Sequence, residues 1–261
     1  ALCSYILVSV KIGFQISELV LILLALVSAR IFGMSINRIF DVNIDKKNPR
    51  TLNRGLISGS ISFRGAYALA LISFLIFYLV IINFNINALY LSPIVIILFL
   101  IYPLTKRFTF LCHYFLGLVY LIAPPAVEIA LTGRFSTETL FLGISGFFWV
   151  SGFDLIYAIL DIDFDKENNI YSIPSKFGIK ITKLLASMSH LLTLIFMLSI
   201  GLIININPIY WFGCTIIIIL FIREHFILKN ITKENINTAF FDMNGQISIM
   251  FMATFLLSTI L

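Results

Sequence analysis

The 261-residue chain has little charge: Asp, Glu, Lys and Arg together make 12% of it, against 60% hydrophobic residues. A soluble domain carries about 25% charged residues and 45–50% apolar ones, so a water-facing globule is excluded for want of polar surface, and disorder is excluded with it. Cysteine is also scarce. Cys3, Cys112 and Cys214 lie far apart with no metal-ligand spacing, which argues against a disulfide-stapled secreted fold and reads as small buried hydrophobes. The three histidines, His113, His190 and His225, are as scattered, and no zinc motif or Cys–His nucleophile pair is visible. Long polar stretches are rare too, only about 41–64 and 161–182, leaving no room for a separate soluble domain. The whole of 1–261 reads as one integral-membrane unit.

Long apolar runs are abundant. They cover about 1–16, 19–40, 65–84, 87–104, 112–131, 138–160, 183–204, 208–228 and 241–261, and a span needs about 20 apolar residues. The expected fold is all-α, a polytopic helical bundle of about nine transmembrane helices. Unbroken runs such as Leu91–Tyr102 exclude the alternation of a membrane barrel. The first run is short and opens at Ala1 without a methionine, so that helix is expected to be truncated. Pro124 and Pro125 are expected to break the helix that also carries Glu128.

The net charge of +5 is explained by topology. Fourteen of the 18 basic residues fall in the loops after the second, fourth, sixth and eighth runs, whereas the opposite loops hold only Lys11 and Arg134. The positive-inside rule places the even-numbered loops in the cytoplasm, in a bacterial setting at the inner membrane. With the basic residues so placed, no nucleic-acid partner is implied and the partner is the lipid bilayer.

Six of the seven aspartates gather in two clusters, Asp41 with Asp45 and Asp154 with Asp161, Asp163 and Asp165. Asn37, Asp41 and Asp45 are spaced four apart, as are Asp161 and Asp165, with Tyr157 one turn and Asp154 two turns upstream of Asp161. Each step of four turns about 40° past a full circle, so each set shares a helix face. Asp163 points about 200° away from Asp161, and it and Asp242 read as solvated. Like charges at this spacing destabilise a helix unless a cation offsets them. Carboxylate oxygens suit Mg²⁺, which is held by one or two carboxylates plus substrate phosphates. The two faces are therefore candidates to hold Mg²⁺ around a diphosphate. Four aspartates and a diphosphate ester against two Mg²⁺ leave a formal charge of about −3, which makes Arg50, Arg54, Lys106 and Lys176 candidate counter-cations. The clusters lie about 120 residues apart with an even number of spans between, the pattern of a parallel repeat of four-helix units.

Tyr102 and Lys106 close the fourth run, Lys106 as a candidate phosphate ligand and Tyr102 as a cap on a reactive pocket. Arg30 lies within the second run, seven residues before Asn37 and on its face. A charge at that depth reads either as a ligand for an acidic acceptor or phosphate, or as the partner of Glu128.

These residues resemble the UbiA-type intramembrane aromatic prenyltransferases. Asn37 through Asp45 resembles their N-x-x-x-D-x-x-x-D motif, and Arg50-Thr-Leu-Asn-Arg54 the basic element that follows. Asp154 through Asp165 resembles the second acidic motif, followed by Ser172-Ile-Pro-Ser-Lys176-Phe-Gly178, and Tyr102 with Lys106 matches a Y-x-x-x-K element. Gly55 departs from the family, where many relatives carry proline. Tyr102–Cys112 and Ile156–Gly178 look most like the 4-hydroxybenzoate polyprenyltransferase-like branch, some members of which serve a futalosine route to menaquinone.

The resemblance implies Mg²⁺-dependent transfer of a polyprenyl group from polyprenyl diphosphate to a small aromatic acceptor in quinone biosynthesis. Asp41, Asp45, Asp161 and Asp165 would be the metal ligands and Tyr102 a stabiliser of the allylic cation. Asn37, Arg30, Arg50, Arg54, Lys106, Asp154, Tyr157 and Lys176 would bind substrate. The acceptor stays open between 4-hydroxybenzoate, 1,4-dihydroxy-6-naphthoate and a haem-type ring. Two other classes are weighed against it: a transporter using Arg30 and Glu128 as a pathway, and a hydrolase acting on a lipid diphosphate. Charges gathered at one side rather than at the midplane speak against the transporter.

Overall fold

A computed structural model describes residues 1–261, all of them helices and the turns between them. In chain order the helices are α1 (Leu2–Ile12), α2 (Ile16–Asp45), the single turn α3 (Gly55–Ser58), α4 (Phe63–Ile81), α5 (Ile86–Thr105), α6 (Cys112–Thr132), α7 (Thr137–Ala158), the short α8 (Ile162–Glu167), α9 (Ile173–Ile203), α10 (Pro208–Ile227), α11 (Lys233–Asn237) and α12 (Asn244–Ile260). Eight of the helical stretches are long and apolar enough to cross a membrane, and α1 is a shorter apolar helix. The expected nine helices are thus present, the first of them short.

Local signals set the helix ends. Ser136 and Ser172 each cap a helix reciprocally with the residue three places on, Thr139 and Ser175. Asn207 caps α10 with Pro208 at its first position, and Gly133 ends α6 with φ 79°, where a side chain would be strained. Within α9, Gly178 has φ 77° and ψ 174°, which separates a first turn from the long segment that follows.

The outer surface of the bundle is apolar. Leu71, Ile72 and Leu79 of α4, Leu202 of α9 and Phe212 and Ile222 of α10 are all exposed. A surface of this kind is at home in hydrocarbon, and the chain is an integral, multi-pass membrane protein. Inside, α7 packs against α6 and α9, and α2 against α4 and α5. Leu155, Ile156, Ile200 and, on α10, Ile217 are wholly buried.

Pro124 and Pro125 do not break α6, which continues to Thr132. Each proline deprives the carbonyl four residues earlier of its donor, here Tyr120 and Leu121. Those are the carbonyls against which α7 lays Gly146 and Gly143: a Cβ at either glycine would meet the Tyr120 or Leu121 oxygen first. Membrane helices tolerate proline where a neighbouring helix accommodates the freed backbone group, and glycine lets α7 come close enough to do so. Glu128 is taken up locally, accepting from Ser136 N at 2.7 Å, Ser136 Oγ at 2.8 Å and Thr139 Oγ1 at 2.5 Å. It therefore does not pair with Arg30. At this same end Lys11 meets Glu138 at 3.2 Å.

Candidate functional site

The other end of the bundle is polar. Here α2 stays helical through Asp45, so Asn37, Asp41 and Asp45 do share its inner side. The aspartates sit where a helix dipole is negative, with no basic residue in the last turn. Carboxylate and carbonyl partial charges there both call for cations, and two arrive from elsewhere. Lys106 Nζ, just past α5, donates to Asp41 Oδ2 at 2.5 Å. Arg54 Nη1 donates to both oxygens of Asp45, at 2.5 and 2.6 Å. Both aspartates are buried, 3% and 4% exposed.

The loop after α2 crosses to α7. Asn48 accepts from Arg50 N at 2.9 Å, capping the tight turn Pro49–Thr51, and its Nδ2 donates to Asp161 Oδ1 at 2.9 Å. Thr51 Oγ1 donates back to the Asp45 carbonyl at 2.7 Å. Arg50 spans the gap: Nε donates to Asp161 Oδ1 at 2.9 Å, Nη2 to Asp161 Oδ2, and Nη1 to the Tyr157 hydroxyl at 2.9 Å. Burial opposes the charge of Arg50, but the bonds to Asp161 prevail and hold its pKa above the ordinary guanidinium value.

The end of α7 is less regular than the spacing of its aspartates implies. The helix tightens to a 3-10 turn over Ile159–Asp161 before α8 begins. Asp165 is buried and accepts from Ser172 Oγ at 2.7 Å, while Asp163 is exposed, as its phase requires. One and two turns back, the Tyr157 ring stacks on Phe240 with centroids 4.0 Å apart, and Asp154 accepts from His113 Nδ1 at 2.7 Å.

One pocket thus gathers Asn37, Asp41, Asp45, Arg50, Arg54, Tyr102, Lys106, Asp154, Tyr157, Asp161 and Asp165. Two residues expected with them lie elsewhere. Lys176 is exposed, its ammonium 3.9 Å from the Phe110 ring centroid and 5.2 Å from that of Phe177. It precedes the backbone break at Gly178, and nearby aromatic faces take its charge. Arg30 is exposed and outside the pocket lining. Seven residues put it on the face of Asn37 but also about 10 Å along the helix axis. Residues given no site role from the sequence also line the pocket: Arg38, Asn48, Thr51, Cys112, His113 and Ser172. Asn48 and Thr51 lie inside the first polar stretch, a signal available beforehand. For His113 there was none, because its partner is 41 residues away on another helix.

The family model described as the UbiA prenyltransferase family matches residues 1–255. The chain belongs to the UbiA prenyltransferase family. Among curated relatives of this UbiA chain, a 4-hydroxybenzoate octaprenyltransferase of Francisella tularensis subsp. mediasiatica (strain FSC147) is 29% identical over 226 residues, covering 87% of this chain and 79% of the relative. One of Pseudoalteromonas translucida (strain TAC 125) is 27% identical over 244 residues, covering 94% and 83%. Among solved structures, the apo UbiA homolog from Aeropyrum pernix K1 aligns with a TM-score of 0.87 and 27% identity, covering 98% of this chain and 95% of that one. The UbiA homolog from Archaeoglobus fulgidus bound to GPP and Mg²⁺ aligns with a TM-score of 0.72 at 19% identity, covering 100% and 95%, and shares the fold.

The pocket of this UbiA chain suits a hard divalent cation in its donor chemistry. All its carboxylates offer oxygen, and Asp41 Oδ1 is buried with no hydrogen-bond partner although Oδ2 is engaged by Lys106. No three carboxylate, imidazole or thiolate groups meet around one point. An ion held here by one or two aspartates completes its shell with other oxygens, which is the habit of Mg²⁺ with phosphates and water.

Proposed function

We propose that this prenyltransferase moves a polyprenyl group from polyprenyl diphosphate to the ring of a 4-hydroxybenzoate-like aromatic acid, in the making of a membrane quinone. The observation that carries this is the convergence of Asp41, Asp45 and Asp161, from segments over a hundred residues apart, with Lys106, Arg54 and Arg50 in one pocket at the end of an apolar bundle. The names of the curated relatives support the acceptor class. A fold neighbour bound to GPP and Mg²⁺ supports the donor and the metal. The basic loops at the pocket end support a reaction on the cytoplasmic side of a bacterial inner membrane.

The residues divide the work. Asp41, Asp45, Asp161 and Asp165 would hold Mg²⁺, which when bound draws charge from the departing diphosphate. Lys106, Arg50 and Arg54 add fixed positive charge where negative charge develops, the interaction that lowers a barrier most. Arg38 and Asn37 line the same wall. Tyr102 offers an aromatic face to the allylic cation. The apolar helices beneath keep water from that cation and receive the isoprenoid tail.

The test is direct. Purified protein in lipid nanodiscs is given a polyprenyl diphosphate, Mg²⁺ and a panel of aromatic acids that includes 4-hydroxybenzoate and 1,4-dihydroxy-6-naphthoate, and products are identified by mass spectrometry. A ring-prenylated hydroxybenzoate is expected. Free prenol alone, or turnover unaffected by any aromatic acid, overturns the reading.

A further inference from the structure

The pocket carboxylates differ in what holds them. Asp41, Asp45 and Asp161 each face a permanent cation, and Asp165 faces a hydroxyl. Asp154 alone is held by an imidazole, His113 Nδ1 lying 2.7 Å from Oδ2. An ionised carboxylate only accepts, so Nδ1 carries the proton and donates. His113 stands at the second position of α6 and is 5% exposed, and its Nε2 is buried with no hydrogen-bond partner. The protein thus buries an imidazole for a single bond, although an unmade buried hydrogen bond costs stability. The Asp154 side chain remains 22% exposed and lines the pocket, with no hydrogen bond from the protein to Oδ1. It sits about 10 Å deeper along α7 than Asp161, on the apolar side of the cation-bearing carboxylates. Asp154 Oδ2 is bound to His113 alone, so Oδ1 keeps its lone pairs for a ligand in the pocket.

We propose that His113 is a positioning residue for prenyl transfer: its Nδ1–H fixes Asp154 so that Oδ1 faces the acceptor and receives the proton that the ring gives up. This rests on the aromatic-acceptor reading above. In the step, the bond from the allylic carbon to the diphosphate oxygen breaks with its electrons leaving on the diphosphate, and the ring carbon gives an electron pair to the allylic cation. The C–H bond at the substituted ring carbon then breaks, its electrons restore the aromatic ring, and the proton passes to Asp154 Oδ1 and on to water at the pocket mouth. Position favours Asp154 here: it lies deeper than Asp161, while Asp41, Asp45 and Asp161 are paired with permanent cations and Asp165 with the Ser172 hydroxyl.

Two substitutions separate positioning from packing. His113→Asn places an amide nitrogen where Nδ1 stands and keeps the bond to Asp154, whereas His113→Leu fills similar space without it. In nanodiscs, His113→Leu is expected to lower kcat by about 10²-fold, the scale of a misplaced reacting group. KM for the polyprenyl diphosphate should change less than about twofold, since uniform substrate binding is untouched. His113→Asn is expected to recover most of kcat. A His113→Leu enzyme with wild-type kcat, or a loss that His113→Asn does not recover, overturns the proposal. A second measurement reads the bond without turnover: in ¹⁵N-histidine-labelled protein, the His113 Nδ1 resonance should move on Asp154→Asn, and an unmoved resonance also overturns it. Wild-type protein that prenylates no aromatic acid defeats the acceptor reading itself, and this proposal with it, a result distinct from any pattern among the variants.

Discussion

At the end of α2, Asp41 and Asp45 stay in continuous helix, and each meets one permanent cation brought from nearby sequence or from α5. At the end of α7, a 3-10 turn intervenes before Asp165, and the partners are a guanidinium, a hydroxyl and an imidazole drawn from three other parts of the chain. The two ends look alike as spacing and are built differently. The α2 end is a pair of locally neutralised charges. The α7 end is an anchorage: Asn48 and Arg50 of the loop after α2 both fasten to Asp161, so that one carboxylate holds the two motifs together.

The comparison can be broken by substitution. Asp161→Asn should have the largest effect, lowering kcat/KM by about 10³-fold through lost charge stabilisation. It should also free the loop at residues 46–54, read as faster proteolytic nicking there. Asp41→Asn removes charge without unfastening the loop; a loss of about 10²-fold with unchanged nicking is expected, and equal nicking in both variants would erase the distinction. Chelation with EDTA should abolish turnover in the wild type and Mg²⁺ restore it, while the same chelation leaves the nicking pattern of the Arg50-fastened loop in place. Arg50→Lys keeps the charge but loses the planar fork that reaches both Asp161 and Tyr157. A fall in kcat/KM of about tenfold is expected, of the order of one charge-assisted bond. Smallest of all, Lys176→Ala should leave activity within about twofold and cost about 0.5–1 kcal/mol of stability from the contacts with Phe110 and Phe177, read as a small fall in thermal midpoint.

The aspartate faces were legible because helical phase is a local property: Asn37, Asp41 and Asp45 needed only the 3.6-residue period to be placed together. The counter-cations Arg50, Arg54 and Lys106 followed from charge balance. Phase says nothing of depth, however, and Arg30 shares a face with Asn37 while standing outside the pocket. Charge balance is equally blind to competing aromatics, which is why Lys176 was expected beside phosphate and lies on Phe110. His113 was invisible because its meaning is a bond between helices. A continuous α6 was unexpected for the same reason, since what accommodates Pro124 and Pro125 lies on α7.

That accommodation reaches further than the turn it rescues. Gly143 leaves no space for even a methyl group before the Leu121 oxygen is struck, so the two rods can slide past one another only as far as bare backbone allows. Asp161 rides on the same rod about five turns farther on. Its height at the polar end of the bundle is gauged by a missing side chain about 27 Å away along that axis, and enlarging that residue would miscalibrate a reaction it never touches.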